Sequence, residues 1–315
     1  MSNNSIFSLS NIDSPLGDWK KSRAQDGDTT GAHYYARSGE YLGYDSNTDD
    51  NDKAYTLDTK ENISFQKERV TFAREFLQQT REGDFSWKYL LRNRVPLDLS
   101  HYRFRVAAGV LAAEESNETA LLWMAHTIQN CVDRPDCKSG YNNAYSLLMS
   151  GYSSVKDKKN KVLSYSDNSL KANYARKAFI SALTSQTDPT RGATLWDGVD
   201  YIAKGRYQPK FTQYRQHFIK ETIFNTYKDN VWKRWKNTRI VNDQQQIKSG
   251  KYWYTFPSKT FDKKKNKDNW INYKSQIWGK TYGFFIENTS VDNKKMLTAT
   301  GAQGASIFWH VGTIS

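Results

Sequence analysis

Apolar residues change their spacing along this chain, and each change marks a different kind of element. Residues 1–30 are polar and read as loosely ordered. His33-Tyr34-Tyr35-Ala36 and Tyr41-Leu42-Gly43-Tyr44 then flank a Ser38-Gly39 pair, which predicts a β-hairpin. An acidic stretch from Asp45 to Asp52 leads to a further short strand, Ala54-Tyr55-Thr56-Leu57. From Ile63 to Ser185 the spacing is helical. Val70, Phe72, Phe76 and Leu77 mark one amphipathic segment, and Phe104, Ala107, Ala108 and Leu111 a second. Asn117 is placed to N-cap a third, whose stripe is Leu121, Trp123 (or Leu122), Ala125, Ile128 and Val132. Tyr174, Ala178 and Leu183 mark another helix, which Asp188-Pro189 stops. The segment from Phe211 to Trp235 reads as one more helix. After Gly250 the chain turns strand-like, at Tyr252-Trp253-Tyr254-Thr255-Phe256 and Tyr282-Gly283-Phe284-Phe285-Ile286.

This pattern predicts an α+β protein, mainly α, with short β-hairpins in its N- and C-terminal extensions. The division it suggests is a polar extension with a hairpin over 1–62 and a helical core over 63–206. A helix- and strand-rich extension over 207–315 is expected to pack on that core. Gly192-Ala193-Thr194-Leu195-Trp196 echoes Gly304-Ala305-Ser306-Ile307-Phe308-Trp309. The echo is too short for a repeat architecture; it reads as two small-residue strands meeting at one site.

Charge narrows the partners. A formal net charge of +13 predicts an acidic one: nucleic acid, anionic lipid, or an anionic polymer such as peptidoglycan. The lysine-rich runs at Lys156–Lys161 and Lys263–Lys267 read as solvated loops that add to this field. The 10 Trp and 20 Tyr suit polar-tipped core packing and equally a groove lined with ring faces for carbohydrate. No run of about 20 apolar residues is present, so no membrane span is expected. Met1 to Phe7 lack a basic region followed by an apolar run, which suggests a chain made in the cytoplasm without an ordinary secretory signal. Cys131 and Cys137 can form a disulfide, but no Cys or His cluster has metal-ligand spacing, and no metal or cofactor is expected. Asp45, Asn47 and Asp49 imitate an EF-hand opening, yet Asp50 and Thr56 stand where that loop requires Gly and Glu.

The stretch Ala112-Ala113-Glu114-Glu115-Ser116-Asn117-Glu118 carries the candidate chemistry. It lies between two apolar helices, so Glu114 falls in the last turn of one and Glu118 in the first turn of the next. Carbonyl oxygens at a helix C-terminus disfavour a nearby negative charge, whereas a helix N-terminus favours it. Glu114, if also desolvated, is therefore expected to hold its proton more tightly than Glu118. A protonated carboxylic acid is what glycoside cleavage requires at the leaving oxygen. The spacing alone is equally that of solvated acids at a helix–helix turn.

The run Val110-Leu111-Ala112-Ala113-Glu114, with Glu118 four residues on and a helix ending Gln129-Asn130-Cys131-Val132, resembles the spore-cortex-lytic cell-wall hydrolases. So does the later Asp188-Pro189-Thr190-Arg191-Gly192-Ala193-Thr194-Leu195-Trp196. The resemblance covers about Arg103 to Trp196 and implies a lysozyme-like fold with a lytic-transglycosylase or muramidase reaction. It makes Glu114 the catalytic acid and places Gly192, Ala193 and Thr194 along the substrate cleft. The chain departs from that family at Glu115, Ser116 and Asn117, and at Asp197-Gly198. More loosely, Thr298 to Trp309, the Gly192 segment and the Tyr41-Leu42-Gly43 hairpin are similar to bacterial cell-wall-degrading effectors. That likeness implies action in the periplasm or cell wall of a target bacterium, with an immunity protein and a secretion apparatus as further partners.

Other residues have two readings. Asp197 is either a second carboxylate that steadies an oxocarbenium ion or an ordinary turn aspartate before Gly198. Thr190 and Thr194 either hydrogen-bond substrate or cap the turn after Pro189. Trp196 either stacks on a sugar or fills the core. His126 reads as an interior histidine, and Asn130 as a helix-end polar residue within reach of the site. The rival function is a basic, aromatic-rich binder of nucleic acid, suggested by Tyr227-Lys228 and Trp232-Lys233-Arg234-Trp235. No nucleic-acid module is recognisable, so this reading ranks second. An amidase or peptidase ranks third for want of a Cys–His or metal constellation.

Overall fold

The computed structural model describes residues 32–45, 53–57, 94–134, 136–137, 141–151, 162–164, 167, 169–184, 186–204, 208–234, 237–249, 251–255, 283–288 and 290–314. The polar first thirty residues, the Val70–Leu77 segment and both lysine-rich runs lie outside the described residues. The architecture is α+β. The chain forms two compact units that interleave in sequence: residues 1–125 with 141–187, and residues 126–140 with 188–315. The sequence pattern, by contrast, suggests three consecutive segments.

In the first unit, β1 (Ala32–Tyr35) and β2 (Tyr41–Asp45) form the expected hairpin. Gly39 closes its turn at φ 87°, where a side chain is disfavoured. β3 (Lys53–Leu57) adds in parallel to β1, and β4 (Arg94–Ser100) pairs antiparallel with β3. The spacing of apolar residues gives no sign of β4, because Pro96 interrupts it. The sheet order β2-β1-β3-β4 puts this strand at an edge, where a proline is tolerated.

Ser100 ends β4 and N-caps α1 (His101–Glu114), its Oγ accepting from the Arg103 N–H at 3.4 Å. α1 is buried without interruption from Val106 to Ala112, and Phe104 is fully enclosed. α2 (Glu118–Asp133) is likewise buried from Ala120 to Ile128 except at Leu122, so it presents much more than one stripe. α3 (Ala144–Gly151) and α4 (Leu170–Leu183) pack against α1. On α4 the buried Arg176 donates to Gly39 O, Asn173 Oδ1 and the backbone oxygens of Ser164 and Asp167. A cation is thus solvated inside the unit by carbonyl dipoles.

The second unit contains the C-terminal half of α2 and is organised on sheets rather than short hairpins. Its five strands run in the order β10-β6-β11-β12-β5: β5 (Leu195–Asp197), β6 (Gln216–Lys220), β10 (Gly283–Glu287), β11 (Lys295–Gln303) and β12 (Ser306–Thr313). Only the β6–β11 pair is parallel.

The single helix expected from Phe211 to Trp235 is instead α6 (Lys210–Gln213), strand β6, and α7 (Glu221–Arg234). A short apolar run such as His217-Phe218-Ile219 suits helix and strand alike; here hydrogen-bonding partners on both sides make it a strand. α7 lies on the sheet through Phe224, Tyr227, Lys228 and Val231, a spacing of i, i+3, i+4 and i+7.

A separate antiparallel sheet comprises β7 (Thr238–Val241), β8 (Gln244–Ser249) and β9 (Tyr252–Thr255). The β7–β8 turn places Asn242 and Asp243 at φ 49° and 61°, the primed hairpin geometry that these residue types tolerate. α5 (Val199–Lys204) lies against β8 and β9.

Candidate functional site

Glu114 is the last residue of α1. Glu115, Asn117 and Glu118 in the following turn have structural tasks. The Glu115 N–H caps α1 on Leu111 O at 3.1 Å, and its Oε1 accepts from the Ser116 and Asn117 N–H groups at 2.7 and 3.1 Å. Asn117 N-caps α2 as expected, its Oδ1 accepting from the Ala120 N–H at 2.9 Å. Glu118 opens α2 and pairs with Lys177 of α4 at 2.7 Å, both side chains more than 40% exposed. Such a pair in water adds little stability. Glu114 is half-buried, as Glu115 and Glu118 are, and its Oε1 is sealed from solvent. All of this lies in the first unit.

The segment from Thr190 to Trp196, with Asp197, belongs to the second unit, where Asp188 organises it. The Asp188 carboxylate accepts from the Thr190 N–H (2.8 Å), the Thr190 hydroxyl (2.7 Å), the Gly192 N–H (2.8 Å) and Asn130 Nδ2 (3.0 Å). Burial raises its pKa, but these hydrogen bonds together outweigh burial and hold the carboxyl below the ordinary range. Asn130 also donates from Nδ2 to Thr190 Oγ1 (2.9 Å) and Ala193 O (3.0 Å), tying the loop to α2. Arg191 and Gly192 take φ of 58° and 77°, which turns the chain sharply enough for the Gly192 and Thr190 N–H groups to converge on one carboxylate. His126, interior as expected, lies 3.9 Å from Asp188; burial lowers its pKa against the pull of that carboxylate.

Thr190 is fully buried and its hydroxyl is engaged within the loop, donating to Asp188 and accepting from the Ala193 N–H at 3.2 Å. Ala193 and Thr194 are also fully buried, and Trp196 is 9% exposed, which leaves little ring face open to a sugar. The echo between the Gly192 and Gly304 segments is a physical pairing. β5 and β12 are antiparallel neighbours with Trp196 opposite Phe308 and Leu195 opposite Trp309, and the Thr194 N–H donates to Trp309 O at 2.8 Å. His310 Nδ1 donates to Gly192 O at 3.0 Å, which extends the same seam. Cys131 and Cys137 are disulfide-bonded and close the end of α2. Arg134, inside that loop, donates to Val311 O on β12 at 3.1 Å.

Asp197 is not a turn residue. It ends β5, 7% exposed, and accepts from Trp309 Nε1 at 2.8 Å, Lys210 Nζ at 2.6 Å and Gln208 Nε2 at 3.3 Å. Burial pushes its carboxyl up, and the Lys210 ammonium opposes this without cancelling it. Tyr201 is pushed well above the usual phenol range, first by burial and then by Asp197. Among the described residues no group of three or more His, Cys, Asp or Glu side chains is placed to hold a metal ion. No described helix is long and apolar enough to cross a membrane.

Asp188, Lys210, Gln208 and Trp309 carry this geometry but were not foreseen as site residues. The signal for Asp188 was local, since an aspartate two residues before an N–H it can accept is a common turn former. Lys210 lies 13 positions from Asp197 with nothing in the sequence to join them, and Trp309, 112 positions away, is linked to it in the sequence only by the Gly192–Gly304 echo. Comparison with protein families, curated proteins and solved structures finds no match to this chain.

Proposed function

We propose that this chain cleaves the glycan strands of peptidoglycan, with Glu114 as general acid in a lysozyme-like catalytic region. The carrying observation lies at the end of α1. Glu115, Asn117 and Glu118 serve caps and a surface ion pair, and Glu114 places Oε1 out of contact with solvent at the end of a helix buried from Val106 to Ala112. A water-shielded carboxylic acid can deliver its proton to a glycosidic oxygen and then, as carboxylate, receive one from the attacking nucleophile. The likeness of Val110–Glu118 and Asp188–Trp196 to the spore-cortex-lytic hydrolases supports the same residue. The +13 charge suits an anionic polymer.

Digesting purified sacculi and weighing the products tests the reading. A 1,6-anhydro sugar end identifies a transglycosylase and a hydrated end a muramidase. An intact polymer contradicts both.

A further inference from the structure

Along β8 of the β7-β8-β9 sheet the two faces differ, with Ile247 buried and its neighbours Gln246 and Lys248 half-buried. Ile247 is fully buried, and α5 lies against β8 and β9. Alternation then puts Arg239, Gln246, Lys248 and Trp253 together on the opposite side, since Arg239 sits across from Gln246 and Lys248 across from Trp253. On that face the Arg239 guanidinium is held from two directions. Its Nε donates to Gln246 Oε1 at 2.8 Å, and its carbon lies 4.1 Å from the centre of the Trp253 ring. Arg239 is nevertheless exposed, and no acid pairs with it among the described residues.

This arrangement is costly to build without a use. An exposed arginine ordinarily keeps its rotamer freedom in water. Here Nε and one ring-facing surface are committed, which leaves the two terminal nitrogens as a pre-set fork. A fork of parallel N–H donors matches a carboxylate or phosphate in two-point geometry, and a lysine cannot reproduce it. Lys248 on the same face strengthens the local positive field.

We propose that this face of the sheet, centred on Arg239, is an anion-recognition surface that holds a carboxylate of the peptidoglycan polymer. The choice of polymer rests on the function proposed above; the two-point anion chemistry rests on the sheet alone. Attraction by the whole chain's positive charge would bring the polymer near, and the locked guanidinium would give one carboxylate a fixed seat.

The test is co-sedimentation with purified sacculi, all variants carrying Glu114→Gln so that the polymer stays intact. Arg239→Ala is expected to weaken binding about tenfold, in line with the loss of a charge-assisted hydrogen-bond pair. Arg239→Lys should recover only a small part of that loss, because charge returns without the fork. Sacculi whose carboxyl groups have been converted to amides should bind the parent as weakly as native sacculi bind Arg239→Ala.

Binding unchanged in Arg239→Ala, full recovery in Arg239→Lys, or indifference to amidation would each overturn the proposal. So would a loss seen only with single-stranded oligonucleotide, which would assign the fork to phosphate. If native protein binds sacculi through Arg239 but releases no fragments, the surface stands and the cleavage reading fails.

Discussion

Asp197 shows how much one buried carboxylate can hold. It joins the end of β5 to β12 through Trp309 and to α6 through Lys210, with both charged side chains largely out of water. Removing one member of such a pair leaves the other charge buried and uncompensated, at a cost of about 3–5 kcal/mol. Asp197→Asn is therefore expected to lose stability of that order in chemical denaturation. Any loss of activity in this variant must be read against that. Stability within about 0.5 kcal/mol of the parent would show that the Lys210 pair is not structurally important. Asp188 and Asn130 make a similar point about legibility. Asn130 lies in the last turn of α2 as expected, whereas α4 ends at Leu183, five residues before Asp188, so Asp188-Pro189 is not itself the stop. That Asn130 would bind the Asp188 loop could not be read, because the two meet across 58 residues of chain.

At the scale of elements, the β1–β2 hairpin was readable because its turn chemistry is local. Its docking was not. A Cβ on Gly39 would lie 2.0 Å from Asn173 O and 2.7 Å from Lys177 N, both backbone atoms of α4, and φ there is 87°. Gly39→Ala should thus destabilise by about 2 kcal/mol or more through strain and displacement of the hairpin from Arg176. A thermal midpoint equal to that of the parent would contradict this close packing. Helices α1 and α2 were also legible, with Asn117 as the cap between them, since periodicity and capping are encoded within a few residues. β4, β6 and the β7–β8 hairpin were not, for differing reasons. β4 contains Pro96, β6 takes its strand identity from β10 and β11, and the β7–β8 hairpin gave only the Asn242-Asp243 turn as warning.

On the scale of the whole molecule, both units bury histidines that resist protonation, His101 in the first and His126 and His217 in the second. Burial pushes His101 from 6.5 to about 2, helped by the stacked His33 ring, Arg105 and Arg176. Burial pushes His217, beside Tyr201 and Trp309, to about 4. Both folded-state values lie below the unfolded one, so their contribution is complete above pH 6.5. It is lost as pH falls, through about 4 for His217 and on toward 2 for His101. As these histidines take up protons only in the unfolded chain, stability should drop below pH 6.5 by roughly 1 kcal/mol per pH unit for each one held neutral. Asp197, whose carboxyl is raised by burial, acts in the opposite sense. Urea midpoints at pH 7.5, 6 and 5 check this; equal midpoints would show that these histidines are not held neutral.

The positive charge carried by the whole chain predicts one further behaviour, sacculus binding that weakens as salt rises. Binding indifferent to salt would contradict it. Neither of these whole-molecule tests reaches the acid at the end of α1. The most direct test is Glu114→Gln, which keeps volume and hydrogen bonding but cannot deliver a proton. Release of soluble muropeptides from purified sacculi should fall at least about a hundredfold in a variant whose circular dichroism and sacculus binding match the parent. A folded Glu114→Gln protein that releases muropeptides at the parent rate would contradict the assignment of this glutamate as the catalytic acid.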